Sequence, residues 1–170
     1  MLFKRLYLFF LITCFLFSGC AKTNVTPSQN DSASMVAEVP QVMYKTLNDS
    51  PVCSMTLSSE PVTPGGLTVV FEYTGADEGL FGMWYSLEIK QNGFWTPIPY
   101  LPIQDNIERS WESIGFPVQK DSPRTETIDW TSLYGELDAG TYRLIKDFIN
   151  SRSPGDYDTY YLSVDFEINK

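Results

Sequence analysis

The chain has 170 residues and no histidine, with 12 Lys and Arg against 21 Asp and Glu, a formal charge of −9. Without histidine it lacks the usual general base at neutral pH and the commonest zinc and copper ligand. The acidic excess repels phosphate backbones and anionic head groups, which excludes nucleic acid as a partner.

The N-terminus sets Lys4 and Arg5 before an apolar stretch, Leu6 to Phe17, followed by Ser18, Gly19 and Cys20. That is the order of a secretory signal peptide. The apolar run is about 12 residues, whereas a helix rising ~1.5 Å per residue needs about 20 to cross a bilayer core. Leu16-Phe17-Ser18-Gly19-Cys20 resembles a bacterial lipobox, with Phe17 where leucine is commoner. The resemblance implies that residues 1–19 are a lipoprotein signal peptide, that Cys20 is lipidated, and that the chain is held at the extracytoplasmic face of the cell membrane. Each buried methylene of such an anchor is worth ~0.8 kcal/mol. The alternative is an ordinary cleaved signal peptide with Cys20 free.

Loss of Lys4 and Arg5 leaves 10 basic against 21 acidic side chains, a charge of −11, so membrane contact is expected through lipid alone. Cys14 leaves with the signal peptide and Cys20 is capped, so Cys53 is the one thiol of the mature chain and no intramolecular disulfide can form. With no histidine to take its proton, Cys53 reads as a small buried packing residue rather than a nucleophile.

Residues 20–49 read as the lipidated cysteine and a flexible tether. Ala21 to Ser34 is polar and without apolar periodicity. Met35 to Ser50 is ambiguous: Val36, Val39, Val42 and Met43 offer apolar surface that Pro40 interrupts, so it is either tether or a loosely docked edge segment. From about residue 50 to 170 short β-rich runs alternate with Gly, Pro, Asn and Asp, the pattern of one domain. Val52 to Ser58 is a strand with Cys53, Met55 and Leu57 inward. Leu67 to Tyr73 follows the Pro64-Gly65-Gly66 turn, with Leu67, Val69, Phe71 and Tyr73 on one face. After a polar loop, Gly75 to Gly79, a third strand runs from Phe81 to Lys90, with Met83, Tyr85, Leu87 and Ile89 opposite Trp84, Ser86, Glu88 and Lys90.

Asn92-Gly93 predicts a type I′ hairpin, since both residues tolerate positive φ. The returning strand, Phe94 to Pro99, reads as an edge because of Pro97 and Pro99. Asp105, Glu108, Ile107, Trp111 and Ile114 permit one or two helical turns. Thr125 to Trp130, ending near Leu133, is a further strand, followed by Thr141 to Phe148 and by Tyr161 to Ile168 with Leu162, Val164, Phe166 and Ile168 inward. The fold class is therefore all-β, an antiparallel β-sandwich of seven to eight strands without a disulfide.

Asp138-Ala139-Gly140-Thr141-Tyr142-Arg143-Leu144 has the spacing Asp-x-Gly-x-Tyr-x-Leu, which is similar to the tyrosine corner of immunoglobulin-like domains. It departs from antibody domains at Leu144, which stands where their second disulfide cysteine would be. Together with Leu87-Glu88-Ile89-Lys90, Asn92-Gly93-Phe94-Trp95 and Leu133-Tyr134-Gly135, the corner resembles bacterial immunoglobulin-like domains of Gram-positive lipoproteins, over roughly residues 52–168. The resemblance implies an immunoglobulin-like fold and an extracytoplasmic setting, and carries no established activity, ligand or catalytic residue.

No Gly-x-Ser-x-Gly, phosphate loop or Cys-x-x-Cys is present, so catalysis would rest on carboxylates. Asp77 with Glu78, Asp105 with Glu108, and Asp156 with Asp158 lie in polar loops where solvated acids are ordinary. Calcium at Gly155-Asp156-Tyr157-Asp158 is a weaker alternative, without a full ligand set. The sequence thus implies no enzyme, catalytic residue, cofactor or metal site. Nineteen of the chain's 25 aromatics follow residue 19, more than the inward positions absorb. Trp84 falls on the polar side of its strand, and Tyr157, Tyr160 and Tyr161 cluster near the start of the last. They form the candidate binding surface, for an envelope protein or, alternatively, a glycan. Against this stands a core role for Trp84 if a bulge near Gly82 turns it inward. Arg143 and Lys146 read as solvated or paired with acids.

Overall fold

Alternation of apolar residues along each run decides which side of a strand is buried, and eight strands carry the resulting core. A computed structural model describes residues 38–40, 44–103 and 109–169. Cys20, the signal peptide, most of the expected tether and the Asp105/Glu108 pair lie outside the described residues. The strands are β1 (Cys53–Leu57), β2 (Gly66–Tyr73), β3 (Glu78–Gln91), β4 (Phe94–Pro97), β5 (Phe116–Val118), β6 (Arg124–Asp129), β7 (Gly140–Ser153) and β8 (Asp156–Ile168). One helical turn, α1 (Thr131–Tyr134), follows β6.

All pairings are antiparallel. The smaller sheet has the order β1-β2-β6. The larger has the order β4-β3-β7-β8, with β5 on the same edge of β3 as β4 but nearer its start. Their inner faces meet as a β-sandwich. Val69 and Phe71 from one sheet and Phe81, Leu87, Leu144, Phe148 and Leu162 from the other are shut from water. Phe71 stacks on Phe81 across the interface at 4.4 Å between ring centroids. Burying each such side chain stabilises the fold by about 1.5–3 kcal/mol. Trp130, fully buried after β6, stacks on Phe166 at 5.4 Å and donates its indole N–H to Pro64 O at 2.7 Å.

Several elements differ from the sequence expectation. Thr131 to Tyr134 turns as a helix instead of extending the strand, because Asp129 accepts hydrogen bonds from both the amide and the hydroxyl of Thr131. Glu78 already opens β3, and β7 and β8 form one long hairpin that reaches Ser153 and Asp156. Strand β5, only three residues with a proline in the middle, carries no usable alternation. Residues 109–115 contain no helix, although Trp111 packs against the core. Met83, assigned inward, is 38 % exposed. The cause is a bulge: from Phe81 to Tyr85 β3 advances four residues while β7 advances two, from Phe148 to Lys146. An even insertion preserves parity, so Tyr85 faces inward again.

The corner after α1 forms as its spacing suggests. Tyr142 donates its hydroxyl to Asp138 O at 2.8 Å, and Leu144 fills the core with no exposed surface. The Asn92-Gly93 hairpin has φ of 52° and 85°, the left-handed pair a type I′ turn requires. Strand β4 lies at a sheet edge.

Tyr142→Phe keeps the ring and removes one hydrogen bond, so it is expected to cost about 1 kcal/mol. Leu144→Ala opens a cavity and is expected to cost about 2–5 kcal/mol. Urea denaturation midpoints of the two variants check the ranking.

Candidate functional site

Strand parity sends two of the four candidate aromatics to one place. Trp84 of β3 and Tyr161 of β8 both point away from the core, on the outer face of the larger sheet, and meet edge to face with centroids 5.9 Å apart. The bulge does not turn Trp84 inward. Tyr160, one residue before Tyr161, faces the other way and packs against the core. Tyr157 shares the outward parity of Tyr161 but sits near the β7–β8 turn, 55 % exposed and roughly 13 Å along the strand at ~3.3 Å per residue. The four therefore do not form one surface.

A segment left open above between tether and docked edge segment helps complete this face. Residues 44–50 run against the larger sheet. Tyr44 tilts onto Tyr161 at 5.8 Å and gives its hydroxyl to the Glu88 carboxylate. Glu88 also takes Arg143 through Nε at 3.1 Å and Nη2 at 2.8 Å, and the guanidinium lies 4.2 Å from the centre of the Trp95 ring. Asn48, at φ 57°, donates its backbone N–H to Tyr161 O at 2.8 Å. Its side-chain amide accepts from Ser163 N–H at 2.7 Å and donates to Ser163 O at 3.1 Å. Asn48 thus occupies backbone groups on the open edge of β8, which would otherwise be free to pair with another strand.

Beneath the face lies Lys146, which the sequence left as solvated or paired with an acid. Lys146 is completely buried, and its ammonium donates to Gly82 O at 2.9 Å and to Glu126 Oε1 at 3.3 Å, 5.3 Å from the Phe81 ring centre. Burial pushes the Lys146 ammonium below its ordinary range, opposed by Glu126. Burial likewise pushes the Glu126 carboxyl up, against the pull of Lys146. The signal was present: Tyr142, Leu144, Lys146 and Phe148 share one parity, so Lys146 had to enter the core with a partner. Arg143 and Lys146 are both paired with acids.

Three of the candidate carboxylates, Asp77, Asp156 and Asp158, have partners. Arg152 binds Asp156 at 2.7 Å and Asp158 at 2.6 Å, which holds the Asp156 carboxyl below its usual range. The Asp77 carboxylate accepts from Asn150 at 3.4 Å, and Asn150 in turn accepts the Tyr73 hydroxyl at 2.7 Å. Among the described residues no group of three or more potential ligands could hold a metal ion. Burial pushes the Cys53 thiol up to about 12, so it stays protonated at neutral pH and packs as a small apolar group.

A family model described as a bacterial Ig-like domain matches residues 49–167. The chain belongs to this family. No curated protein and no solved structure matches it. The Ig-like domain thus takes in all eight strands of the sandwich apart from the last residue of β8. Its family is generally non-catalytic.

Lys146→Ala leaves the Glu126 carboxylate without its partner and is expected to cost about 3–5 kcal/mol. Lys146→Met combined with Glu126→Leu removes both charges and is expected to restore most of that loss. Chemical denaturation of the single and double variants checks the difference.

Proposed function

We propose that this protein is a lipid-anchored extracytoplasmic lipoprotein whose Ig-like domain is a non-catalytic interaction module. On this reading residues 1–19 act as the signal peptide, Cys20 carries the lipid, and the polar stretch Ala21 to Ser34 is the tether. What supports the interaction reading is the pairing of Trp84 with Tyr161 outside the core, flanked by Tyr44 and by Trp95 under Arg143. Clustered aromatics on a rigid sheet offer large contact area at small entropic cost, as binding hot spots require. The partner is an envelope protein on this reading. Calcium is disfavoured because Arg152 already neutralises Asp156 and Asp158.

Two measurements test the two halves separately. Cys20→Ser is expected to move the protein from the membrane fraction to the soluble fraction and to abolish incorporation of a labelled fatty acid. Retention in the membrane with no label would overturn the anchor. Cross-linking in the native envelope is expected to capture a reproducible protein partner that Trp84→Ala loses. Capture unchanged by Trp84→Ala, or retention on cell-wall glycan in its place, would overturn the assignment of the face.

A further inference from the structure

The bulge in β3 opens a cavity of about 400 Å³ on the outer face, between β3, β7 and the loop 111–115. Its walls include Trp84, Trp111, Met83 and Ile114, and Asp147 and Glu112 supply its charges. Asp147 is the outward neighbour of Lys146 on β7 and pairs across the ladder with Tyr161. Its Oδ1 is sealed from water and has no hydrogen-bond partner among the described residues. Gly82 permits this approach, since a methyl there would lie 3.1 and 3.2 Å from the two carboxylate oxygens.

The nearby cations are committed elsewhere. Lys146 turns its ammonium to the opposite side, onto Glu126 and Gly82 O, and Arg143 is held by Glu88 and Trp95. Among the described residues no Lys or Arg lines the cavity. Burial pushes the Asp147 carboxyl up, against the pull of Lys146 and of the Asp147 and Gly82 amides. The unpaired Oδ1 is stabilised by a proton or by a positive charge brought close to the half-buried carboxylate that lines the cavity. A donor-bearing cation meets the carboxylate, indole faces attract a cation, and aliphatic walls accommodate a hydrocarbon stem. The acidic field of the domain draws such a ligand in.

We infer that this cavity is a binding site for a primary ammonium on an unbranched alkyl stem, the chemistry of a lysine side chain presented by a partner. This deepens the interaction reading and rests on it, because Trp84 belongs to both. The test uses the full chain in detergent with Nα-acetyl-lysine methylamide as probe, followed through the indole N–H signals by NMR. The norleucine analogue, which keeps the stem and lacks the ammonium, and glucosamine serve as comparisons. The lysine probe is expected to move Trp84 and Trp111 while Trp95 and Trp130 stay. Asp147→Asn is expected to weaken binding about tenfold or more without lowering the denaturation midpoint. Equal shifts with the norleucine analogue, a response to glucosamine alone, undiminished binding by Asp147→Asn, or no shift with any probe would overturn the inference. If the lysine probe fails while Trp84-dependent capture persists, the cavity assignment alone falls. If the probe binds and no partner is captured, the interaction reading alone falls.

Discussion

Two additional residues in β3, between Phe81 and Tyr85, set the chemistry of the larger sheet. At that point β3 parts from β7, and a strand carbonyl, Gly82 O, is available to the Lys146 ammonium instead of a neighbouring strand. A lysine can enter the core only because that carbonyl and Glu126 receive it. The same opening leaves Asp147 facing outward beside Gly82, with aromatic side chains around it. One local irregularity thus places a cation inside and a carboxylate outside, on consecutive residues of one strand.

The remainder of the sandwich makes that irregularity tolerable. Above and below it, β3 and β7 keep a regular ladder, from Glu78 with Ser151 to Phe81 with Phe148 and again from Tyr85 with Lys146 to Ile89 with Tyr142. Core rings lock the sheets together on either side, Phe71 on Phe81 near the bulge and Trp130 on Phe166 beyond it. Leu144 and its neighbours hold the position that a disulfide occupies in antibody domains, and packing there is joined by cross-sheet bonds such as Tyr73 to Asn150 and Lys146 to Glu126. The edges are managed separately. Asn48 covers backbone groups of β8, and the other edge of the sheet is divided between two short strands, each containing a proline.

Much of this was legible in the chain. The alternation of Leu67, Val69, Phe71 and Tyr73, the Asn92-Gly93 hairpin and the Gly140-Thr141-Tyr142 corner report local rules whose physics acts over a few residues. Elements without such a rule were missed: β5 is too short to alternate, and the strand read as ending near Leu133 gives way to a helical turn whose first residue, Thr131, bonds back to Asp129. The candidate face was only half legible, because adjacent residues in a strand point to opposite sides. That parity divides Tyr160 from Tyr161, while only the fold shows that Tyr161 meets Trp84 and Tyr44.

By itself the sequence determined the all-β class, the inward sets of most strands and the acidic character of the chain. Periodicity, turn chemistry and charge are summed over neighbours in the chain, so they can be read without coordinates. Tertiary structure alone decided that Lys146 meets Glu126, that Asn48 closes the edge of β8, and that Asp147 Oδ1 has no hydrogen-bond partner among the described residues. Those facts depend on groups from 20 to 115 positions apart, brought together by register and by one bulge. No local pattern encodes which distant strand will stand opposite, and that is where the chemistry of this domain resides.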